Sequence, residues 1–383
     1  MKGFRRIVLH LWLVWIGAGG TAVLLAQSST RAKALVLEQQ GKTLAAEQAW
    51  RGMVKSNPRN AEALAHVGLL EARQEHYPEA ITFYRRAFAL NASIPGLRMN
   101  LGLALFKAAK FQDAIQPFNS EMEKHPGDPR LTILLGMAHY GMGDYPGAIP
   151  YLRQAAINEP QSLPLRLTLA HSCLWTKQYQ CVLDVYKEIL DLNEESAEAD
   201  MLAGEALDEK GDNAGATEQF RAAVRANSKE PNAHFGLAYL LWAQSRFEEA
   251  AKEFQAELDN DPKHGQARAY LGDCYVQLNE FDKAKPELEK AVIAEPSLAL
   301  VHLDLGIVYA DAGQKDEAQK ELLRAAALDP KEVAPHWRLA KLYQTMGKKD
   351  ESKAEFAKAS TMNKQASQAL HEKIAGASPR PTE

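Results

Sequence analysis

A spacing of 34 residues recurs along this chain and constrains its fold more than any other feature. From residue 27 onward the chain divides, without insertion or deletion, into ten segments that we call repeats one to ten: 27–60, 61–94, 95–128, 129–162, 163–196, 197–230, 231–264, 265–298, 299–332 and 333–366. A period of this length is typical of repeat proteins, in which each repeat buries its apolar face against its neighbours.

Three places of the repeat carry a recurring residue type. The eighth place holds Gly or Ala in all ten repeats, the twentieth holds Ala in eight, and the twenty-fourth holds a large apolar or aromatic residue. Small residues let two helices approach closely, and the large residue fills the space beside them. Six repeats then end in proline, which lacks the N–H that a helix needs: Pro58, Pro126, Pro160, Pro262, Pro296 and Pro330. Each repeat is therefore predicted to form helix, turn, helix.

Some positions depart from this pattern. Val182 and Ser352 replace alanine at the twentieth place, so repeats five and ten are the least regular. Pro117, Pro150 and Pro286 fall one turn inside second helices, which we expect them to delay or bend.

The end of the chain departs from the repeat as well. Residues 367–376 are predicted to form a separate capping helix that covers the last exposed face and ends at Gly376. Residues 377–383 are predicted to be a disordered tail.

This pattern resembles the tetratricopeptide repeat family over residues 27–366. The resemblance implies an all-α fold, a right-handed α-solenoid superhelix of about ten helix-turn-helix repeats. It is incomplete at the fourth place, where the family often has tryptophan and this chain has Leu64, Arg98, Thr132 and His302. In this family the first helix of each repeat faces the inside of the superhelix, where partner proteins usually lie.

The first-helix places that would face this groove are mostly apolar or aromatic. The predicted partner-binding residues are Met99, Leu103, Phe106, Ile133, Met137, Tyr140, Leu167, His171, Leu174, Trp175, Phe235, Tyr239, Trp242, Leu303, Ile307 and Trp337. For the aliphatic residues, packing against the next first helix is the preferred interpretation. Four aromatic side chains are larger than the skeleton needs, so partner contact is an equal alternative for them: Tyr140, Trp175, Tyr239 and Trp242. The stripe predicts a peptide or an amphipathic helix of another protein as partner.

Repeat six interrupts this stripe with acidic residues, among them Glu205 and Asp208. A solvated helix face is the preferred interpretation. The alternative is a docking point for Lys or Arg of a partner.

The first 26 residues form a predicted targeting segment. Lys2, Arg5 and Arg6 precede an apolar run over residues 7–26. This pattern is typical of a signal peptide, and the run is also long enough for an N-terminal membrane anchor. Both alternatives place the rest of the chain outside the cytoplasm, either periplasmic or secreted, or anchored to the inner membrane and facing the periplasm.

Signals of catalysis or cofactor binding are absent from the sequence. The formal net charge of −4 provides no basic field for nucleic acid. The sequence Gly41–Thr43 resembles the end of a phosphate-binding loop, but Val36 stands where that loop needs glycine. No zinc-protease or nucleophile-elbow motif occurs. We therefore predict no catalytic residue, metal, cofactor or small-molecule substrate.

The predicted function is a non-catalytic protein–protein interaction scaffold, placed in a bacterial cell envelope. The alternatives are a transferase or hydrolase with an unrecognised site, and a structural homo-oligomer.

The three cysteines are too few for a disulfide framework or a four-cysteine zinc site. Cys173 and Cys181 lie at the facing ends of two predicted helices. Two buried free thiols are the preferred interpretation, and a bridge in an oxidising compartment is the alternative. Cys274 is then left as an unpaired small residue.

Overall fold

The structure is a computed structural model that describes residues 29–192 and 195–377. These residues form twenty helices joined by short turns, and they contain no strand. The helices are α1 (residues 29–39), α2 (Thr43–Ser56), α3 (Ala61–Arg73), α4 (Tyr77–Leu90), α5 (Leu97–Lys107), α6 (Phe111–Lys124), α7 (Pro129–Gly141), α8 (Tyr145–Asn158), α9 (Leu163–Trp175), α10 (Tyr179–Asp191), α11 (Ala197–Glu209), α12 (Asn213–Ala226), α13 (Ala233–Ala243), α14 (Phe247–Asn260), α15 (Gly265–Gln277), α16 (Phe281–Ala294), α17 (Ala299–Asp311), α18 (Lys315–Leu328), α19 (Ala334–Thr345) and α20 (Lys349–Ala377). The predicted segment 1–26 and residues 378–383 lie outside the described residues.

The helices keep the 34-residue spacing throughout. The second helix of every repeat begins at the seventeenth place, at Thr43, Tyr77, Phe111, Tyr145, Tyr179, Asn213, Phe247, Phe281, Lys315 and Lys349. The predicted all-α fold of helix-turn-helix repeats is confirmed.

The turn between the two helices has the same backbone conformation in all ten repeats. The residue at the fifteenth place has φ between 55° and 80°, and it is glycine in five repeats. The next N–H then donates to the carbonyl oxygen five residues earlier at 2.8–3.0 Å, as in repeat nine from Gln314 to Tyr309. This bond satisfies a carbonyl that the end of the first helix would leave unpaired, so it fixes the return of the chain.

The recurring small and large residues meet inside each repeat. A Cβ built on Gly272 would lie 2.5 Å from Leu288, and one on Gly306 would lie 2.6 Å from Leu322. The eighth place is therefore small because the side chain at the twenty-fourth place occupies that space. Ser352 departs from alanine without an unpaired polar group, because its hydroxyl donates to the Ala340 carbonyl oxygen at 2.8 Å.

Two sequence expectations differ from the structure. Pro117, Pro150 and Pro286 do not delay their helices, since α6, α8 and α16 begin at the same place as the other second helices. There is also no separate capping helix over 367–376, because α20 continues without a break through Gly376 to Ala377. Lys364 is compatible with this continuation, because it stands where six repeats have a helix-ending proline.

The chain forms two compact halves, which meet in sequence between Cys181 and Val182. From α2 to α9 in one half and from α11 to α20 in the other, the two helices of a repeat pack together and the second contacts the first helix of the next repeat. In the C-terminal half the first helices α11, α13, α15, α17 and α19 also contact one another in succession. The places predicted to carry partner contacts lie on first helices of both halves, from α5 to α19.

Candidate functional site

The predicted aliphatic groove residues, together with Phe106, are half-buried rather than free. Met99, Leu103 and Phe106 pack against the hydrophobic core of their half. The others are half-buried as well: Ile133, Met137, Leu167, Leu174, Leu303 and Ile307. This agrees with the preferred packing interpretation, so these residues would supply the floor of a binding surface rather than its main contacts.

An aromatic surface in the N-terminal half consists of Tyr140, Tyr145 and Trp175. Trp175 ends α9 with 66% of its surface exposed. Its ring stacks on Tyr145 at a centroid distance of 5.8 Å, and Tyr145 meets Tyr140 edge to face at 5.6 Å. Tyr145 was missed in the sequence because it begins a second helix. His171 lies half-buried on the same first helix as Trp175.

A larger aromatic surface lies in the C-terminal half and consists of Phe235, Tyr239, Trp242 and Tyr270. Trp242 lies 5.7 Å from Tyr239 and 4.9 Å from Tyr270, measured between ring centroids. The indole N–H of Trp242 donates to Asp273, which fixes the ring. Tyr239 is 37% exposed. Tyr270 was not predicted, although it occupies a first helix next to α13.

Tyr270, one of the two tyrosines of this surface, has a shifted pKa. Burial, together with the neighbouring Tyr239 and Asp273, raises the pKa of Tyr270. The hydroxyl therefore stays neutral, and it can serve as a hydrogen-bond donor.

Trp337 stands apart near the end of the repeats, on α19. It is 43% exposed, and the Lys341 ammonium lies 3.9 Å from its ring centroid. Beside it is a cavity of about 240 Å³ whose lining includes Ile307, Arg338 and Lys341. An apolar group with a carboxylate would suit these walls.

The acidic residues of repeat six lie where the sequence placed them, on α11. Glu205 is exposed and Asp208 is half-buried. Burial, followed by the neighbouring Glu209, raises the pKa of Asp208. The choice between a solvated face and a docking point for cations stays a prediction.

A second set of side chains, overlooked in the sequence, joins the two helices of repeats seven to ten. The fourth place carries His234, Arg268, His302 or His336, and its nitrogen meets a glutamate at the twenty-third place: Glu253, Glu287, Glu321 or Glu355. The three histidine pairs have the same Nδ1–Oε2 distance of 2.6 Å. We call these four pairs clasps. Because their partners lie 19 residues apart, the histidines look unpaired in the sequence.

Cys173 and Cys181 form a disulfide bond that closes the turn between α9 and α10. The preferred interpretation of two free thiols is therefore wrong for this structure. The two cysteines are eight positions apart in sequence, and the helix ends that carry them face each other across the turn. Cys274 is buried and unbridged, and burial raises the pKa of its thiol.

Neither a metal site nor a spanning helix is found in the part of the chain that the structure describes. Residues 29–192 and 195–377 contain no group of three or more His, Cys, Asp or Glu side chains able to hold a metal ion. Within the same residues, no helix combines the length and apolar character needed to cross a membrane.

Comparison with known proteins shows the family. The Tetratricopeptide repeat model matches residues 31–94, 183–231, 201–265, 235–299 and 271–333, and a second model of the same description matches 334–365. These matches cover more than half of the chain, which therefore belongs to the tetratricopeptide repeat family. Proteins of this family are generally protein-interaction scaffolds.

Two curated relatives are distant. The chain is 23% identical over 284 residues to "Protein CTR9 homolog" of Arabidopsis thaliana, covering 71% of this chain and 25% of that protein. It is 25% identical over 244 residues to "RNA polymerase-associated protein CTR9" of Caenorhabditis elegans, covering 61% and 21%. The chain thus spans a quarter or less of the length of these relatives.

Solved structures of other proteins are also similar to this chain. One is YrrB, described as a TPR protein with an unusual peptide-binding site, with 20% identity, 49% of this chain and 97% of that chain covered, and a TM-score of 0.41. Another is the APC/C hetero-tetramer Cut9-Hcn1, with 16% identity, 77% and 58% covered, and a TM-score of 0.46.

Proposed function

We propose that this protein is a non-catalytic scaffold that holds a peptide or amphipathic helix of a partner protein against its first helices. The observation that carries this proposal is the exposure of three large aromatic side chains there: Trp175 at 66%, Trp337 at 43% and Tyr239 at 37%. Side chains of this type dominate binding energies at protein interfaces.

The neighbours of these residues favour binding over simple exposure. Trp175 and Tyr239 are held by aromatic stacking, so little side-chain freedom is lost when a partner covers them. Each such aromatic residue can bury about 150–250 Å², and truncating a central one typically weakens binding by about 2 kcal/mol or more. Acidic α11 would add a contact for a Lys or Arg of the partner.

Site-specific crosslinking tests the proposal with matched controls. A photoreactive phenylalanine analogue would be placed at Trp175 or at Tyr239, and, as controls, at Ile157 or Ile293. The controls are exposed apolar residues of second helices, with 66% and 82% exposure. We expect a crosslinked protein from the first-helix positions only. Equal crosslinking at both sets would contradict the proposal.

Truncation provides the energetic test. The Trp175→Ala and Tyr239→Ala variants should each weaken the captured partner's binding about 10-fold or more, while Ile157→Ala and Ile293→Ala should not. Light scattering of the purified chain addresses the alternative of a structural homo-oligomer, since a stable oligomer that buries Trp175 or Tyr239 would replace the partner hypothesis.

We place this scaffold outside the cytoplasm, in a bacterial cell envelope. Two features support this location: the basic and apolar pattern of residues 1–26, and the disulfide between Cys173 and Cys181. N-terminal sequencing of the mature protein would distinguish a cleaved signal from a retained anchor. Alkylation of both thiols before any reduction, in protein from its native host, would contradict the location.

A further inference from the structure

A cavity in the C-terminal half lies away from the aromatic surfaces. It has a volume of about 430 Å³ and lies between the end of α10, the start of α11 and the end of α12. Its polar lining includes Tyr186, Asp200 and Arg225, and its apolar walls include Leu190, Ala199 and Ala222. The space would hold an aliphatic chain of several carbons.

The position of Asp200 explains why this cavity is unusual. Asp200 occupies the fourth place of repeat six, where the next four repeats carry the basic member of a clasp. The twenty-third place holds Gln219 rather than glutamate. Repeat six therefore has an acid where the following repeats have a base, and among the described residues Asp200 has no basic side chain within ion-pair distance.

The carboxyl group of Asp200 is buried but held in place. The residue is 8% exposed, and the Tyr186 hydroxyl donates to its Oδ1 at 2.8 Å. Burial raises the pKa of Asp200, and Glu195 raises it further, while Tyr186 and Arg225 lower it. The tyrosine contacts only Oδ1, and Arg225 lies near enough to lower the pKa without forming an ion pair with the carboxylate. A buried carboxylate that lacks a cation in direct contact is unfavourable.

We infer that this cavity binds a primary ammonium or guanidinium group, with Asp200 as its counter-ion. The apolar walls hold the aliphatic stem of the guest, and Tyr186 orients the carboxylate toward the charge. The guest supplies the cation that the fourth place of repeat six lacks. A free small amine and a Lys or Arg side chain of a partner share this chemistry.

The electrostatics predict how binding depends on pH. A cation beside Asp200 favours the ionised carboxylate, so binding below the pKa of free Asp200 releases a proton. Affinity should therefore rise as the pH increases through that pKa and then level off. The other charged groups of the lining are Glu195, on the turn, and Arg225, an exposed residue of α12.

Calorimetry with the full chain tests the inference, using n-butylammonium, the uncharged n-butanol, and a short blocked peptide with one lysine. We expect the wild type to bind butylammonium and the peptide but not butanol. Asp200→Asn should weaken binding at least 10-fold. Glu218→Gln, an equal charge change at an exposed residue of α12, should leave binding unchanged.

A double variant that restores a clasp in repeat six provides a second test. Asp200→His with Gln219→Glu installs the clasp of repeats seven, nine and ten, and it should abolish amine binding. Tighter binding of the peptide than of butylammonium would assign the guest to a partner protein, and the reverse would assign it to a small amine. Absence of binding by both probes at millimolar concentration, or equal binding by Asp200→Asn, would overturn the inference, whether or not the double variant folds.

Discussion

Repeats six and nine differ in the chemistry of their fourth and twenty-third places. Repeat nine has a base and an acid there, and repeat six has an acid and an amide. In repeat nine, Nδ1 of His302 lies 2.6 Å from Glu321, and Nε2 lies 3.1 Å from the carbonyl oxygen of Pro296. One side chain thus ties α17 to α18 and to the preceding turn. In repeat six, Asp200 has no N–H to donate, and Tyr186 of the preceding repeat supplies the hydrogen bond instead.

Repeat eight shows that the clasp depends on donor geometry rather than on histidine. Arg268 donates to Glu287 and, at 2.8 Å, to the carbonyl oxygen of Pro262. The same two acceptors are used as in repeat nine, from a side chain of different shape. The repeat therefore fixes where these groups lie, while the chemistry of the pair can change, and a cavity remains where the base is lost.

The largest expected effect comes from converting repeat nine to the chemistry of repeat six. The double variant His302→Asp with Glu321→Gln removes the imidazole that contacts both Glu321 and the Pro296 carbonyl oxygen. It leaves that carbonyl oxygen without its side-chain partner and places a carboxyl group in a buried position. We expect a loss of about 3 kcal/mol in unfolding free energy, because breaking a buried pair leaves uncompensated polar groups. Urea denaturation followed by circular dichroism measures it.

The matched control for this variant is Glu317→Gln, which removes an exposed charge from the same α18. It should change stability by about 0.5 kcal/mol or less. If the double variant is no less stable than this control, the clasp contributes nothing to stability, and the different residues of repeats six and nine have no consequence for stability.

Repeat five uses a third arrangement, and breaking it should have the next largest effect. It carries Val185 rather than an acid at the twenty-third place, and the disulfide joins its two helices at the turn. Replacing Cys173 and Cys181 by serine should lower the stability of the oxidised protein by about 2 kcal/mol, because the unfolded chain loses a short covalent loop. Thermal unfolding with and without reductant measures the loss. A wild type insensitive to reductant would contradict the prediction.

The sequence predicted the skeleton well because the skeleton is local and periodic. Gly or Ala at the eighth place and the bulky residue at the twenty-fourth define each helix pair without reference to distant residues. The exposed Trp175 and Tyr239 were also found, since their size exceeded what packing needs.

The side-chain partnerships were missed for a different reason. His302 and Glu321 lie on antiparallel helices, so their contact follows from the length of the turn and not from a helical spacing of three or four residues. The stacking of Tyr145 on Trp175 was missed for the same reason, because the two residues lie far apart in sequence and on different helices. The continuous α20 was also missed, because no residue near Lys364 marks whether the helix ends there or continues.

A buried acid among the complete clasps gives a pH test. Burial and the neighbouring Asp273 raise the pKa of Asp304 well above its usual range, while Arg338 lowers it. Since the folded pKa exceeds the unfolded one, this group's contribution to stability is full below the unfolded pKa. It is lost as the pH rises through the folded pKa.

Asp304→Asn should therefore be more stable than the wild type above that pH range and should show a flatter pH profile. The difference should grow by at most about 1.4 kcal/mol per pH unit, the slope for one proton. Melting temperatures between pH 4 and 8 measure it, with the exposed Asp316→Asn as control. A difference from wild type that stays constant with pH would show that Asp304 does not titrate in this way.

The smallest expected effect on stability comes from comparing two ion pairs of α14 that have the same contact distance but different burial. On α14, Glu253 meets His234 and Glu249 meets Arg246, both at 2.6 Å. The first pair has side-chain exposures of 10% and 28%, and the second has 39% and 52%. Water and salt screen the exposed pair, so Glu249→Gln should cost about 0.5 kcal/mol or less, and Glu253→Gln should cost about 1–2 kcal/mol. Urea midpoints in low and high salt measure both; equal losses would mean that contact distance, and not burial in the clasp, decides the strength of these pairs.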